Sequence, residues 1–188
     1  GTTYYLNART TDVAGNVSSV ANGDGVTIDL TAPVGTTVSD GTGDDIDYTG
    51  SDTTLSAHWP VFTEVVSDIA KYEYAIGTLT TTDVVDWTDN ATDTSFTRTN
   101  VNLISGTAYF VSVKATDLAG NVSATVTSDG DTVDTAGPIA GSVTDSSSTD
   151  LDWTNSTSTL TGVWSGFIDG LSGINKYEYA VGTTSGST

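Results

Sequence analysis

The chain has 188 residues, of which 36% are hydrophobic and 15% are charged, enough for one large or two small domains with a lean core. Its 24 acidic residues against 5 basic ones give a formal net charge of -19, which argues against a nucleic-acid or anionic-membrane partner and favours cations. Disulfides and thiolate metal sites are excluded because there is no cysteine, and no apolar run approaches the roughly 18 residues of a membrane-spanning helix.

The sequence repeats itself at a constant offset of 105 residues. Residues 1–83 align without a gap on residues 106–188, and about two in five of the 83 pairs are identical. Matched pairs include Asp29 with Asp134, Pro33 with Pro138, and Trp59 with Trp164. An array of tandem repeats is therefore predicted.

Two junctions divide the chain, at residues 26–33 and 132–138. Each has an extended apolar segment, an aspartate, small residues and a proline that keeps the preceding residue extended. We therefore expect one complete domain over residues 30–134. Residues 1–29 are predicted to be the last two strands of a preceding repeat, and residues 135–188 the first three strands of a following one, all within a longer polypeptide.

The complete domain is predicted to consist of short strands, because apolar residues alternate with a period of two and no window has helical periodicity. The predicted strands are 34–40, 54–59, 69–77, 84–87, 95–103, one beginning at Tyr109, and 121–133. Residues 41–52 and 60–68 are predicted loops. Leu55, Ala57 and Trp59 are expected to face the core. Each of two further strands is expected to place one set of side chains on a single face: Tyr72, Tyr74 and Ile76 on one, and Tyr109, Val111, Val113 and Ala115 on the other.

Two local patterns predict turn geometry. Leu103, Gly106 and Tyr109 have the spacing of a strand-entry corner, in which the tyrosine hydroxyl bonds back to the backbone beside the leucine. An Asp-x-Ala-Gly-Asn sequence follows at residues 117–121 and occurs earlier at 12–16. Its glycine is expected to take a positive φ while the aspartate caps the turn.

Several segments carry a resemblance to a known family: 103–109, 115–121, 145–153, 160–167, 172–174 and 177–183. The whole chain resembles the fibronectin type III-like, immunoglobulin-like repeats of large secreted or cell-surface, adhesin-type proteins. The resemblance implies an all-β chain of tandem immunoglobulin-like sandwiches, one complete and two partial. The middle copy departs from the pattern, since Val65, Val66 and Asp68 stand where the later copy has glycine, leucine and glycine.

Aspartates gather in loops that the sandwich topology places at the ends of a domain. The linker and two loops at one end hold Asp29, Glu64, Asp68, Asp117 and Asn121, with Asp134 and Asp169 in the next domain. The loop at the opposite end holds Asp40, Asp44, Asp45 and Asp47. Stacked domains would bring the two sets together, and calcium takes six to eight oxygen ligands. Calcium at domain junctions is therefore predicted, with turn capping and solubility as the alternative.

Enzyme chemistry is not indicated. The single histidine, His58, is expected on the outer face of its strand, and no carboxylate pair stands out as an acid and a base. Exposed aromatic residues offer another activity, because Trp87, Trp153 and Tyr48 could stack on a sugar.

The sequence predicts an extracellular or cell-surface segment that acts as a stalk, a fibre or a surface-coat spacer. The expected partners are adjacent repeats and neighbouring copies in a fibre or surface layer, with no nucleic acid and no membrane insertion. The alternatives are a glycan- or protein-binding module and the accessory repeats of a secreted hydrolase.

Overall fold

The structure is a computed structural model that describes residues 1–79, 82–146 and 149–184, and this part of the chain forms strands without helices. The strands are β1 (Thr2–Tyr4), β2 (Asn7–Ala8), β3 (Ala21–Asn22), β4 (Val26–Ile28), β5 (Ser39–Asp40), β6 (Tyr48–Thr49), β7 (Thr54–His58), β8 (Ile69–Thr78), β9 (Val85–Asp89), β10 (Ser95–Thr99), β11 (Ala108–Asp117), β12 (Val126–Thr127), β13 (Asp131–Val133), β14 (Ser142–Thr144) and β15 (Val163–Ser165). These residues accordingly contain no helix that could cross a membrane.

Strands β5 to β13 form two sheets. One has the order β10-β7-β5, and the other has the order β6-β13-β11-β8-β9 with β12 also paired to β11. Every pairing is antiparallel except that of β6 with β13. Two facing sheets of this kind are an immunoglobulin-like β-sandwich, so the predicted all-β class is confirmed.

The core lies between the two sheets and is built by the predicted alternation. Leu55, Ala57 and Trp59 are buried while Ser56 and His58 are half-buried. The seven side chains predicted to share one face in β8 and in β11 are buried as well, and all ten are at most 5% exposed. Aromatic rings join the sheets: those of Tyr74 on β8 and Phe96 on β10 stack with centroids 3.7 Å apart. Every buried residue of the core cluster falls between residues 38 and 133.

Both predicted turn geometries are present. The backbone N–H of Ile104 donates to the Tyr109 hydroxyl over 2.9 Å, which is the expected corner. At the end of β11, the Asp117 carboxylate accepts from the amide and the side chain of Asn121, at 2.8 and 2.9 Å, and Gly120 has a φ of 93°. Asp12 makes the same two hydrogen bonds to Asn16, both at 2.8 Å.

The structure corrects several of the predicted bounds. The first strand contracts to β5, with only an isolated bridge from Val34 to Thr63 before it, and the fifth ends at Thr99. The last strand splits into β12 and β13. It splits where the Ser128 hydroxyl accepts from the Val111 amide at 3.0 Å and so replaces a backbone acceptor. The predicted loop 41–52 contains a further strand, β6.

The flanking segments are mostly exposed. Residues 1–28 form two antiparallel pairs, β1 with β4 and β2 with β3, and β14 pairs with β15 further on. The proposed domain boundaries remain predictions, and residues 185–188 of the third predicted unit lie outside the described part of the chain.

Candidate functional site

Two groups of carboxylates lie near opposite ends of strand β11. The linker cluster consists of Asp29, Glu64 and Asp117, each with a carboxylate oxygen within 4.8 Å of the others. The sheet-edge cluster consists of Asp40, Asp45 and Asp129, which meet the same distance limit. Asp117 ends β11, whereas Asp131, two residues after Asp129, pairs with Tyr109 near its beginning.

Asp29 ties the linker to the sandwich. Its carboxylate accepts from the Thr31 amide at 2.9 Å and from the Ser67 hydroxyl at 2.7 Å. Its backbone carbonyl accepts from the Asn121 side chain at 3.3 Å. The linker is therefore bonded to both loops that close this end of the domain.

The other two members of the linker cluster are held by local amides. Burial acts to raise the pKa of Asp117, but hydrogen bonds from Asn121, Gly120 and Ala119 outweigh it and hold the pKa below the usual range. One oxygen of Glu64 accepts from the Val65 and Val66 amides, at 2.7 and 2.9 Å. The other, Oε2, is buried without a hydrogen-bond partner among the described residues.

The next repeat preserves this arrangement. Asp134 accepts from the Ala136 amide at 3.0 Å and from the Ser172 amide at 3.1 Å, at the positions that match Thr31 and Ser67. Asp169, which matches Glu64, accepts from the Gly173 amide at 2.9 Å, and such amide bonds lower its pKa. Asp134 thus accepts hydrogen bonds from the two positions that match those bonded to Asp29, although Ser172 donates its amide where Ser67 donates its hydroxyl.

The sheet-edge cluster joins the edges of the two sheets. Asp40 lies on the edge strand β5, and its Oδ2 accepts from the Gly130 amide at 3.0 Å. Its own amide donates to Asp45 Oδ1 at 2.7 Å. Burial raises the pKa of Asp40 to about 6, with repulsion from Asp45 and Asp129 adding to it against the hydrogen bonds from Ser128 and Gly130.

The structure brings together only some of the predicted ligands. Asp29 joins Asp117, and Asp40 joins Asp45, but the side chains of Asp44, Asp47 and Asp68 fall outside both clusters. Within residues 1–79, 82–146 and 149–184, no group of three carboxylates combines the two predicted sets. Asp129 was not among the predicted ligands. It precedes Gly130, as its counterpart Asp24 precedes Gly25 in the preceding copy. Calcium at the junction remains a prediction.

The remaining candidates are the single histidine and three aromatic residues. His58 Nδ1 lies 3.1 Å from the Gly41 carbonyl, on the outer face of β7. Lys114 Nζ covers the ring of Trp87 at 4.2 Å from its centroid. Trp153 is 90% exposed, while Tyr48, at the matching position, is 46% exposed within β6.

No family model and no curated protein matches the chain. Several solved structures do. The FN1–FN3 domains of chicken CNTN1 match over 61% of this chain and 36% of that one, at 20% identity and a TM-score of 0.37. Titin module A71 from human cardiac muscle matches over 53% of this chain and 85% of that one, at 20% identity and a TM-score of 0.33. Domains A168–A170 of titin match over 59% of this chain and 35% of that one, at 21% identity and a TM-score of 0.38. The similarity concerns the fold alone.

Proposed function

We propose that the chain is a structural segment of tandem repeats that serves as an extracellular stalk, fibre or surface-coat spacer. One observation carries the proposal: the linker aspartates Asp29 and Asp134 make matching hydrogen bonds to the domain that follows each of them. A spacer needs its repeats held in a fixed relation, and hydrogen bonds at these two positions support such a restraint. The partners are adjacent repeats and neighbouring copies in a fibre or surface layer.

Force spectroscopy tests the spacer role. The chain lacks cysteine, so one introduced at each end gives unique attachment points. Extension should show a discrete unfolding step of roughly 330 Å. The 105 residues of the central repeat span about 370 Å when extended at about 3.5 Å each, and the folded domain already spans roughly 40 Å of that length. A Leu55→Ala variant should unfold at lower force because it opens a cavity in the core. Smooth extension without a step would refute a load-bearing role.

The linker restraint has its own test by hydrogen exchange. The amides of Thr31 and Ala136 should both be protected in the full chain, and Asp29→Ala should remove protection at Thr31 alone. Ala136 then serves as the internal control. Unprotected amides at both positions in the unmodified chain would mean a loose linker and would contradict the proposal.

The extracellular location is tested on cells that make the protein. An antibody against the chain should label intact cells as strongly as permeabilised ones. Labelling that requires permeabilisation would place the spacer inside the cell and leave only its structural role.

A glycan-binding module is the second candidate, and the 90% exposure of Trp153 favours it. A Trp153→Ala variant should then lose binding on a glycan array, with Trp87→Ala as the control because Lys114 already covers that ring. An array with no bound glycan would leave the spacer as the better description.

A further inference from the structure

The carboxylate of Asp40 is fully buried, and one of its oxygens is unpaired. Its exposure is 0%, and Oδ1 has no hydrogen-bond partner within the described residues, although Oδ2 accepts from Gly130. Asp131 is 2% exposed and likewise has an unpaired Oδ1. A buried charged oxygen without a partner costs free energy, so it indicates that something else completes the site.

Two further carboxylates lie close to that of Asp40. One carboxylate oxygen from each of Asp40, Asp45 and Asp129 lies within 4.8 Å of the other two. Oxygens that share one calcium ion, at about 2.4 Å each, are separated by at most about 4.8 Å. Asp45 and Asp129 are exposed, so an ion can enter from solvent.

No cationic side chain neutralises this group in the described structure. The ion pairs there involve Lys71, Lys114 and Lys176, and their acidic partners belong to β8, β9 or the last repeat. The region therefore has an excess of negative charge.

Solvent also reaches the loop and the aspartate that adjoin the cluster. An open cavity of about 430 Å³ is lined by the loop after β5, including Gly41, Asp44 and Ile46, and by Asp131. Calcium tolerates irregular geometry and completes its shell with carbonyl oxygens and water, whereas magnesium demands a near-ideal octahedron. A loop site with only oxygen donors and access to water suits calcium better.

We propose that Asp40, Asp45 and Asp129 bind one calcium-like divalent cation at the edge of the sandwich. The site differs from the linker cluster, and it holds the loop after β5 against the segment between β12 and β13. It does not depend on the spacer role.

Calorimetric titration of the full 188-residue chain with CaCl₂ tests the assignment, after EDTA treatment and dialysis into 0.15 M KCl. Asp129→Ala, at an exposed position, should remove one binding event or weaken it at least tenfold. Asp44→Ala is the matched control, because it removes the same charge from the adjoining loop but lies outside the cluster. Unchanged binding in Asp129→Ala, or equal losses in both variants, would overturn the proposal.

A second variant separates metal binding from folding. Asp40→Asn retains an acceptor for the Gly130 amide but loses the buried charge, so its melting temperature without metal should be at least that of the unmodified chain. Calcium should raise the melting temperature of the unmodified chain but not that of Asp40→Asn. If calcium stabilises Asp40→Asn and Asp129→Ala as much as the unmodified chain, the ion binds elsewhere and the proposal fails. Equal affinity for MgCl₂ would also contradict a calcium-type site.

Discussion

Asp40 and Asp131 lie where both burial and neighbouring aspartates disfavour a negative charge. Their pKa values are raised to about 6 and about 7. At these two positions the folded chain therefore binds more protons than the unfolded chain between about pH 4 and pH 7. The free energy of unfolding must then fall as the pH rises through that range.

A pH series in EDTA checks this consequence. The melting temperature of the metal-free chain should rise by roughly 5 °C when the pH is lowered from 7.5 to 5.0. Asp40→Asn should show a smaller rise, because one of the two groups no longer titrates. Carboxylates with lowered pKa values, such as Asp117, lose their stabilising effect only in more acidic solution. A melting temperature that is flat or falls between pH 7.5 and 5.0 would contradict the prediction.

Two tyrosine hydroxyls stabilise backbone amides to different extents. Tyr72 accepts from the buried amide of Phe62 at 3.0 Å, whereas Tyr109 accepts from the amide of Ile104 at a partly buried position. Tyr72→Phe should lower the free energy of unfolding by about 1–3 kcal/mol, and Tyr109→Phe by about 1 kcal/mol, because water can replace the lost partner only at the second site. Urea denaturation measures both, and Tyr48→Phe at an exposed position is the control. Equal losses in all three variants would disprove the ranking.

At the scale of elements, Gly130 connects β12 to β13 in a conformation that other residues rarely adopt. Its φ is 103°, and an added Cβ would lie 2.6 Å from the Phe110 ring. Gly130→Ala should therefore destabilise the chain by about 1–3 kcal/mol through strain and overpacking. Gly43→Ala, whose added Cβ would meet open space, should stay within about 0.5 kcal/mol. Similar urea midpoints for the two variants would contradict this reading.

The long strands were predictable because their information is local. Alternating residues in β7, β8 and β11 identify both the strand and its buried face, and the spacing from Leu103 to Tyr109 identifies the corner. The two-residue strand β6 was not predictable, since its partner β13 lies more than 80 residues later and no pattern in either segment specifies a parallel pair. The break in the last strand depends on a single hydroxyl, that of Ser128.

The two carboxylate clusters also differ in how far the sequence alone can predict them. Topology alone places Asp29, Glu64 and Asp117 at one end of a sandwich, and the structure brings their carboxylates together. The sheet-edge cluster needs a contact between β5 and the segment after β12, which follows from how the edges of the two sheets meet. Asp129 could be recognised only through that tertiary contact.

At the scale of the whole molecule, 24 acidic residues against 5 basic ones should make chains repel one another. Small-angle scattering at 20 mM NaCl should show a forward intensity per unit mass that falls with protein concentration. In 0.5 M NaCl the effect should vanish, because the screening length drops to a few ångströms. The extrapolated radius of gyration is the control and should not change with salt. An intensity that rises with concentration at low salt would instead indicate attraction between copies.

The parallel pair of β6 and β13 has a mechanical consequence, because β13 runs directly into the linker. Thr132 donates to the Asp47 carbonyl at 2.9 Å, and Asp134 donates to the Thr49 carbonyl at 2.8 Å. Ladder bonds lie across the strands, so tension applied along the chain beyond Asp134 loads both bonds in shear. They must yield together, whereas the bonds of an antiparallel terminal hairpin would unzip one after another. The hydrogen bonds at the point where the chain leaves the sandwich are thus oriented so that they resist separation under tension.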